Sequence, residues 1–375
     1  MEMDFTSEQN MLREAAAKFF AGECNYEEVK KTEESEAGYA PALWAKIAEL
    51  GWLGLPFPGA YGGYDGTFMD LVILQEEMGK ACFPSPFFST VVQCGQLILA
   101  GGTEEQKTEL LGRIAEGSLI MALAQYEEET DYTPASIQMP AVAKGGSWVL
   151  NGTKCFVLDA NIADKLIVAA RTDKGVTLLL VDTKAPGLKV TKLPTVAMDN
   201  TCEVSFTNVV AEATLGAPGA GEALLEKMYA KAAVAKAAEM VGGCKVCIDV
   251  SAAYARTREQ YGNPIGGYQA IQHFMANMLL GYDTSVNYLY AVARMIDEGE
   301  EFARDAVALK AHVNDSMRYI TEKAVKIHGG IGTTREADVA LFFRRAHPFG
   351  MSCGSSEHNY EQVAQSLLTE GLGAF

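Results

Sequence analysis

The side chains best suited to chemistry in this 375-residue sequence are eight cysteines and five histidines, which are scattered along the chain. Only Cys244 and Cys247 are close neighbours, in a C-x-x-C pair that could serve a redox reaction or part of a zinc site. We favour a simpler interpretation, in which two small apolar residues lie one turn apart on a helix. No second pair accompanies them, and the histidines are too sparse to complete a tetrahedral site by their spacing. We therefore predict no metal site.

The charge balance is strongly acidic, with a formal net charge of −17. Such a surface repels phosphate backbones and anionic lipid, so we expect neither nucleic acid nor membrane as a partner. No apolar run of 18 residues occurs, which argues against a membrane span. The first ten residues, MEMDFTSEQN, lack the basic and apolar regions of a signal peptide, and we expect a cytoplasmic location.

Hydrophobic spacing divides the chain into three parts. Its two ends show helical periodicity, whereas the middle consists of short β-rich runs between turn signals. In the first part, Thr103 is a predicted N-cap whose capping-box partner is Gln106. We predict an α+β fold with an N-terminal helical domain (1–119), a middle antiparallel β-barrel or sandwich (120–219) and a C-terminal four-helix bundle (220–375).

Two dipeptides in the middle part are typical of tight turns. They are Gly145-Gly146 and Asn151-Gly152. Because Asn-Gly is a strong signal for a two-residue hairpin, we expect a chain reversal at Asn151.

Four segments together resemble the acyl-CoA dehydrogenase family. The string REQYGNPI, with the glutamines that follow it, is similar to the family signature R-x-x-F-G-x-P-I…Q, and IHGGIG is similar to its H-G-G-x-G turn. The other two strings are GTEEQK, at a helix start, and a loop rich in glycine and proline. The resemblance covers essentially the whole chain in order. Within the family, the overall sequence is most like the small subunit of pimeloyl-CoA dehydrogenase-type enzymes. In chain order the four segments are 51–63, 102–107, 258–265 and 327–332.

The resemblance implies that FAD lies between two subunits of a tetramer. The guanidinium of Arg258 could bind two phosphate oxygens of the pyrophosphate at once. The ring of Tyr261 could pack on the flat surface of the adenosine half. The glycines of the H-G-G turn have no Cβ atom, so their backbone N–H groups could approach the cofactor closely. Each of these residues, considered alone, also has a purely structural explanation. Arg258 could form a salt bridge to a neighbouring helix, and the glycines could form a simple turn between helices. Lys326 replaces a usual glutamine, and a cation is tolerable near pyrophosphate. The full set implied for the cofactor is Arg258, Gln260, Tyr261, Ile265, Tyr268, Gln269, Lys326, Gly329, Gly330, Ser355 and Glu357.

The residues that would surround the flavin ring depart from the family pattern. Gln125 lies at the family's T-E-P loop, where 127–129 is a run of three glutamates, unsuited to a flavin that becomes anionic. Phe156 replaces a tryptophan that packs on the flavin. Leu158 replaces a threonine and cannot supply its hydrogen bond. The chain's own flavin pocket is therefore expected to be degenerate.

The family's catalytic carboxylate is also replaced. In the family the base lies 24 residues after the first glycine of the H-G-G turn, and in this chain that position is Cys353. The neighbouring Gly354, Ser355 and Glu357 match the family. A neutral thiol, with a pKa of about 8.5, is a poor base for α-proton abstraction. Some family members carry the base on another helix, at the position of Ala232 here.

Glu239 lies two turns beyond Ala232 and is a candidate substitute for the missing base. A structural role, as a buried or interfacial glutamate, is the interpretation that we favour for it.

The elements that would complete a neighbour's FAD site thus survive, while the chain's own pocket and base are lost. The first hypothesis is a subunit of an α2β2 FAD-dependent acyl-CoA dehydrogenase, which desaturates an acyl-CoA and passes electrons to an electron-transfer flavoprotein or similar acceptor. The second is an active homotetramer with a relocated base or a different reaction. The third is a non-enzymatic acyl-CoA-binding protein.

The resemblance further implies a dicarboxylyl-CoA substrate. Residues 14–112 contain no arginine, so a lysine or the partner subunit would have to bind the distal carboxylate.

Overall fold

The structure, a computed structural model, describes residues 5–370. The first part of the chain is helical, as predicted. Three of its helices begin at a threonine that forms a capping box with the residue three positions later, and Thr103 with Gln106 is one of them. The helices are α1 (Ser7–Glu23), α2 (Tyr26–Glu34), α3 (Pro41–Glu49), α4 (Phe68–Ala81), α5 (Gly95–Gly101), α6 (Glu104–Gln106) and α7 (Gly112–Ala115), with π-helical turns at Phe88–Cys94 and Lys107–Leu111.

The middle part forms two four-stranded sheets, with strand orders β1-β4-β5-β8 and β2-β3-β7-β6. Their pairs are antiparallel except β1 with β4, which is parallel. The β-rich prediction is confirmed, and within residues 5–370 no strand pair joins the two sheets into a closed ring. The strands are β1 (Met121–Ala124), β2 (Ala141–Lys144), β3 (Ser147–Leu158), β4 (Lys165–Thr172), β5 (Gly175–Asp182), β6 (Leu188–Lys192), β7 (Thr201–Val210) and β8 (Ala213–Leu215).

The predicted hairpin turn at Asn151 is wrong. Lys144 pairs with Ser147, so the two-residue turn is Gly145-Gly146, and both of these glycines have the positive φ of a type I′ turn. Asn151-Gly152 lies inside β3, where the pairing with β7 shifts register and Gly152 has a φ of 142°. The dipeptide forms a β-bulge, the other structure that needs a glycine in an extended run.

The last part of the chain returns to long helices, as expected from its periodicity. The helix α10 packs against α9, α11 and α12. A two-stranded ribbon, β9 (Glu259–Gln260) with β10 (Asn263–Pro264), joins α8 to α9. The helices are α8 (Gly221–Thr257), α9 (Gln269–Glu298), α10 (Ala303–His328), α11 (Val339–Met351) and α12 (Ser356–Glu370).

Two compact units make up the chain, and each is discontinuous. One comprises 67–83 with the residues up to 29 and from 233 onward; the other comprises 30–66 and 84–232. The N-terminal helices thus contribute to both units, and α4 belongs with the C-terminal helices. No helix of residues 5–370 is both long and apolar enough to cross a bilayer.

Candidate active site

In the β-containing unit, a buried ion pair stands at the position of the family's T-E-P loop. The fully buried Lys154 donates hydrogen bonds from Nζ to the backbone oxygen of Gln125 at 2.9 Å and to Glu127 Oε1 at 2.6 Å. Glu127 also accepts the backbone N–H groups of Gln138 and Met139, at 3.0 and 2.9 Å. Glu127 is therefore fixed by Lys154 on one side and by the chain that leads into β2 on the other.

This ion pair changes the electrostatics expected from three consecutive glutamates. Burial alone would raise the pKa of Glu127, but the hydrogen bond and charge of Lys154, together with two backbone N–H groups, lower it. Burial lowers the pKa of Lys154 to about 8, against the opposing effect of Glu127. Glu128 and Glu129 are exposed, where solvent and salt screen them. The loop therefore does not present three uncompensated charges.

Gln125 is the other polar side chain at the end of β1. It is buried, and its Oε1 accepts a hydrogen bond from the Tyr229 hydroxyl at 2.5 Å. The Gln125 side chain is therefore positioned by a hydrogen bond within the protein.

Phe156 lies on a second β-bulge of β3, between Lys154 and Val157. It has a φ of 53° and is 65% exposed, while Leu158 is half-buried at the end of the strand. A bulky residue in the left-handed region costs roughly 1–2 kcal/mol, and exposing its ring adds to that cost. Backbone strain clusters at ligand-binding sites, so the strain at Phe156 makes this residue a candidate ligand contact.

In the helical unit, the ribbon that follows α8 gathers several of the predicted cofactor residues. Arg258 and Gln260 are exposed on it, and Tyr261 at its tip is 94% exposed with a φ of 53°. The Arg258 oxygen accepts the Ile265 backbone N–H at 2.8 Å, and the Tyr268 hydroxyl donates to the Gln260 oxygen at 2.7 Å. The ribbon is thus a defined turn that presents Arg258, Gln260 and Tyr261 together.

The other predicted cofactor residues have mixed surroundings. Ile265 is buried, whereas Gln269 is exposed at the start of α9. Lys326 is exposed with its Nζ 5.1 Å from the centroid of the Phe274 ring. The Ser355 hydroxyl caps α12 by accepting the His358 backbone N–H at 3.2 Å, and Glu357 is exposed in the first turn of that helix.

The glycine turn after α10 leaves its backbone open. Gly329 has a φ of 68°, and both Gly329 and Gly330 are exposed. A Cβ atom at either residue would meet nothing within 4 Å in the chain. The preceding His328 is turned aside, with its ring stacked on Tyr254 at a centroid distance of 4.4 Å. Only glycine suits the conformation at 329, and the turn has room for a ligand to approach its N–H groups.

Cys353 lies in the loop between α11 and α12. Its φ is 56°, and burial raises the pKa of its thiol, although Lys310, Ser352 and Lys236 act in the opposite direction. A thiol with a raised pKa stays protonated at neutral pH and cannot accept an α-proton. The position of the family's base therefore carries a neutral group.

Three buried side chains hold the C-terminal end of α11 and the loop that follows it by their carbonyl groups. Lys310 Nζ donates to the Phe349 oxygen at 2.9 Å and to Asn314 Oδ1 at 2.5 Å. Asn314 Nδ2 donates to the Gly350 oxygen at 3.0 Å, and Asn359 Nδ2 to the Gly354 oxygen at 3.2 Å. Burial lowers the pKa of Lys310 to about 7, with Cys353 opposing this shift and Lys236 reinforcing it.

Lys310 and Asn314 are not among the site residues predicted from the sequence. The sequence does contain a pattern that predicts the burial of Lys310. This residue lies on the same helix face as Ala306, Leu309, Val313 and Met317, which are apolar and buried.

Glu239, the candidate substitute base, is paired. Its Oε2 lies 2.5 Å from Lys236 Nζ, and the two side chains are 13% and 4% exposed. The C-x-x-C cysteines Cys244 and Cys247 are buried further along α8, and burial raises the pKa of both thiols.

Helical parts at the two ends of the sequence and two mainly antiparallel sheets between them in chain order define the architecture of the protein. Three family descriptions match in chain order: "Acyl-CoA dehydrogenase, N-terminal domain" at 6–118, "middle domain" at 122–209 and "C-terminal domain" at 219–368. The chain belongs to the acyl-CoA dehydrogenase family, and it is an oxidoreductase of that family.

Individual relatives are similar over their whole length. The probable acyl-CoA dehydrogenase YngJ of Bacillus subtilis is 31% identical, over 98% of this chain and 100% of that protein. Butyryl-CoA dehydrogenase from Megasphaera elsdenii superimposes with a TM-score of 0.90 at 26% identity, over 98% of this chain and 100% of the other. A variant of the Tcur3481-Tcur3483 steroid ACAD gives a TM-score of 0.89 at 27% identity, over 98% and 99%.

The lowered pKa of Lys310 predicts a specific dependence of stability on pH. The unfolded chain keeps the proton up to a pH of about 10.5, whereas the folded chain releases it at about 7. Between these values the unfolded state binds more protons, so this group makes the free energy of unfolding rise with pH, by up to about 1 kcal/mol per pH unit. Lys310→Met should remove this rise.

The measurement is the melting temperature of natural chain and variant from pH 6.5 to pH 9. The natural chain should gain stability relative to Lys310→Met as pH increases. Lys245→Met, on the exposed side of α8, is the matched control. A difference between natural chain and Lys310→Met that stays constant with pH would contradict the lowered pKa.

Proposed function

We propose that this chain is an FAD-binding subunit of an acyl-CoA dehydrogenase and acts with a homologous subunit in an α2β2 assembly. The observation that carries the proposal is the ribbon tip, where Tyr261 is 94% exposed in a left-handed conformation beside Arg258. A folded chain gains nothing by exposing a strained ring, whereas a cofactor that covers the ring would recover the lost burial.

The residues present on the helical unit fit the adenosine and pyrophosphate half of FAD. On the helical unit, Arg258 would bind the pyrophosphate, Tyr261 would pack on the adenosine half, and the open N–H groups at Gly329 and Gly330 would approach the cofactor. When bound, FAD supplies the acceptor for the β-hydride of the acyl-CoA substrate.

The second subunit is proposed because this chain lacks a suitable base. Removal of an α-proton needs a group that is deprotonated at working pH, and the thiol of Cys353 has a raised pKa. A homologous subunit with a carboxylate at the corresponding position would supply the base. The Tcur3481-Tcur3483 steroid ACAD, named for two components, offers a parallel for such an assembly.

The assembly would need a partner for its electrons. An electron-transfer flavoprotein, or a similar acceptor, would take them from the reduced cofactor. A reducing compartment such as the cytoplasm suits the chain, because its eight cysteines, all of which lie within residues 5–370, form no disulfide.

A second candidate function is a self-sufficient homotetramer with a relocated base. Lys310 favours it, since this buried amine has a pKa of about 7 and its charge acts on Cys353. An amine with that pKa is deprotonated in part at neutral pH and is able to accept a proton. Against this role, Lys310 Nζ donates hydrogen bonds to Asn314 Oδ1 and to the Phe349 backbone oxygen.

Arg258→Ala tests the cofactor role of the ribbon. Charge-assisted hydrogen bonds are worth roughly 1.5–3 kcal/mol, so FAD affinity of the assembled complex should fall about 10- to 100-fold. Arg256→Ala, at an equally exposed position in the last turn of α8, is the matched control and should leave affinity unchanged. The measurement is fluorescence titration of the apo complex with FAD. Equal affinity in both variants would contradict the assignment.

Cys353→Glu separates the two candidate functions. In a half-site subunit, the rest of the flavin pocket is degenerate, so a restored carboxylate should change dehydrogenase activity of the complex by less than about twofold. In a self-sufficient enzyme the same change should raise kcat by orders of magnitude. The assay is acyl-CoA-dependent reduction of an artificial electron acceptor, with Cys353→Ser as the control for local disturbance. A large gain with glutamate alone would refute the half-site proposal.

A further inference from the structure

A stack of two rings connects the end of α10 to the end of α8. His328 is the last residue of α10 and directly precedes the glycine turn, and Tyr254 lies in the last turn of α8. Their ring centroids are 4.4 Å apart, with 24° between the ring planes, and both residues are half-buried. This near-parallel contact is a favourable arrangement of two flat side chains.

The His328 ring also has an anchor on its own helix. Its Nδ1 lies 2.8 Å from the backbone oxygen of Ala324, one turn earlier in α10. A carbonyl oxygen can only accept a hydrogen bond, so Nδ1 is the donor. The ring edge is therefore held by α10 while the ring face packs on α8.

Tyr254 is connected in turn to the ribbon. Its backbone oxygen accepts the Arg258 N–H at 2.8 Å, across the junction between α8 and the ribbon. The ring of Tyr254 thus contacts the residue that begins the glycine turn, and its main chain fixes the residue that begins the ribbon motif.

The glycine turn follows the position of His328 closely. A Cβ atom at Gly332 would lie 2.9 Å from the His328 Cβ and 2.7 Å from the Val325 oxygen, so the turn folds back tightly on α10. The Thr333 hydroxyl donates to the Gly330 oxygen at 2.8 Å and closes the turn on itself. A shift of His328 would therefore move the turn as a whole.

We propose that His328 is a positioning residue for the cofactor, whose stack on Tyr254 holds the glycine turn in a fixed relation to the ribbon. The turn and the ribbon then present one preformed surface to the adenosine and pyrophosphate half of FAD, and binding loses less freedom to ordering. This role rests on the proposed function, because it takes both segments as part of the FAD site. It goes beyond that function by naming a residue that acts through Tyr254.

A helix cap is the competing explanation for His328. Histidine side chains near the end of a helix often donate to its last carbonyl groups, as Nδ1 does here to Ala324. The two explanations depend on different parts of the side chain. Positioning requires the aromatic face, whereas capping requires the N–H donor.

The test is a fluorescence titration of the apo complex with FAD, using two variants that separate these parts. His328→Phe keeps the aromatic face without the donor, and FAD affinity should stay within about twofold of the natural complex. His328→Asn keeps a donor without the ring, and affinity should fall about 3- to 10-fold, the range that one aromatic pair is worth. His347→Asn is the control, because this exposed histidine of α11 makes its edge-on ring contact with Phe343.

Tyr254 provides a second, independent arm. Tyr254→Leu removes the ring but keeps an apolar side chain, so it should weaken FAD binding as much as His328→Asn does, and Tyr254→Phe should not. Because the two rings act as a pair, the double variant His328→Asn with Tyr254→Leu should bind FAD no more weakly than either single variant.

Additive losses in the double variant overturn the positioning role, and so does any result in which His328→Phe binds FAD as weakly as His328→Asn or more weakly. The proposed function survives either outcome if Arg258→Ala still weakens FAD binding. If Arg258→Ala also leaves the affinity unchanged, both the positioning role and the FAD site on the helical unit are wrong.

Discussion

The loop between α11 and α12 is held by hydrogen bonds from buried side chains, and this constraint decides what the chain can do. Lys310 and Asn314, one turn apart on α10, donate to carbonyl oxygens of 349–354, and Asn359 donates from α12. Each donor is buried, so losing its acceptor would leave a polar group without a partner at a cost of about 1–3 kcal/mol or more. The loop is fixed accordingly, and the residue that it presents at the base position is a thiol.

Each unit exposes an aromatic ring from a residue in a left-handed backbone conformation. Phe156 and Tyr261 are both aromatic, both exposed and both in a left-handed conformation, one on a β-bulge and the other at a ribbon tip. Local backbone structure accompanies each conformation. Phe156 lies at a register shift in β3, and Tyr261 lies between the paired strands β9 and β10. Strain of this kind persists where the surrounding structure enforces it.

The sequence predicted the order of helical and β-rich parts, because that order depends on local periodicity. The ribbon between α8 and α9 was not predicted. Thr103 shows how well a short-range rule works, since its capping box needs only one partner three residues away. Asn151-Gly152 shows where such rules fail: the dipeptide is compatible with a turn or a bulge, and the pairing of β3 with β7 selects the bulge. Lys154 and Lys310 could not be placed in the same way. Their burial depends on partners 27 and 39 residues away in the chain, Glu127 and Phe349, which only the folded structure brings within hydrogen-bonding distance.

The central claim is that this chain binds FAD with surviving elements and lacks the base for its own chemistry. Anaerobic titration of the purified chain with acyl-CoA, alone and after assembly with a homologous subunit that carries the catalytic glutamate, tests it most directly. The account predicts that flavin absorbance stays unbleached when the chain is alone, even with FAD supplied in excess, and bleaches in the assembled complex. Stoichiometric bleaching by the isolated chain would contradict it.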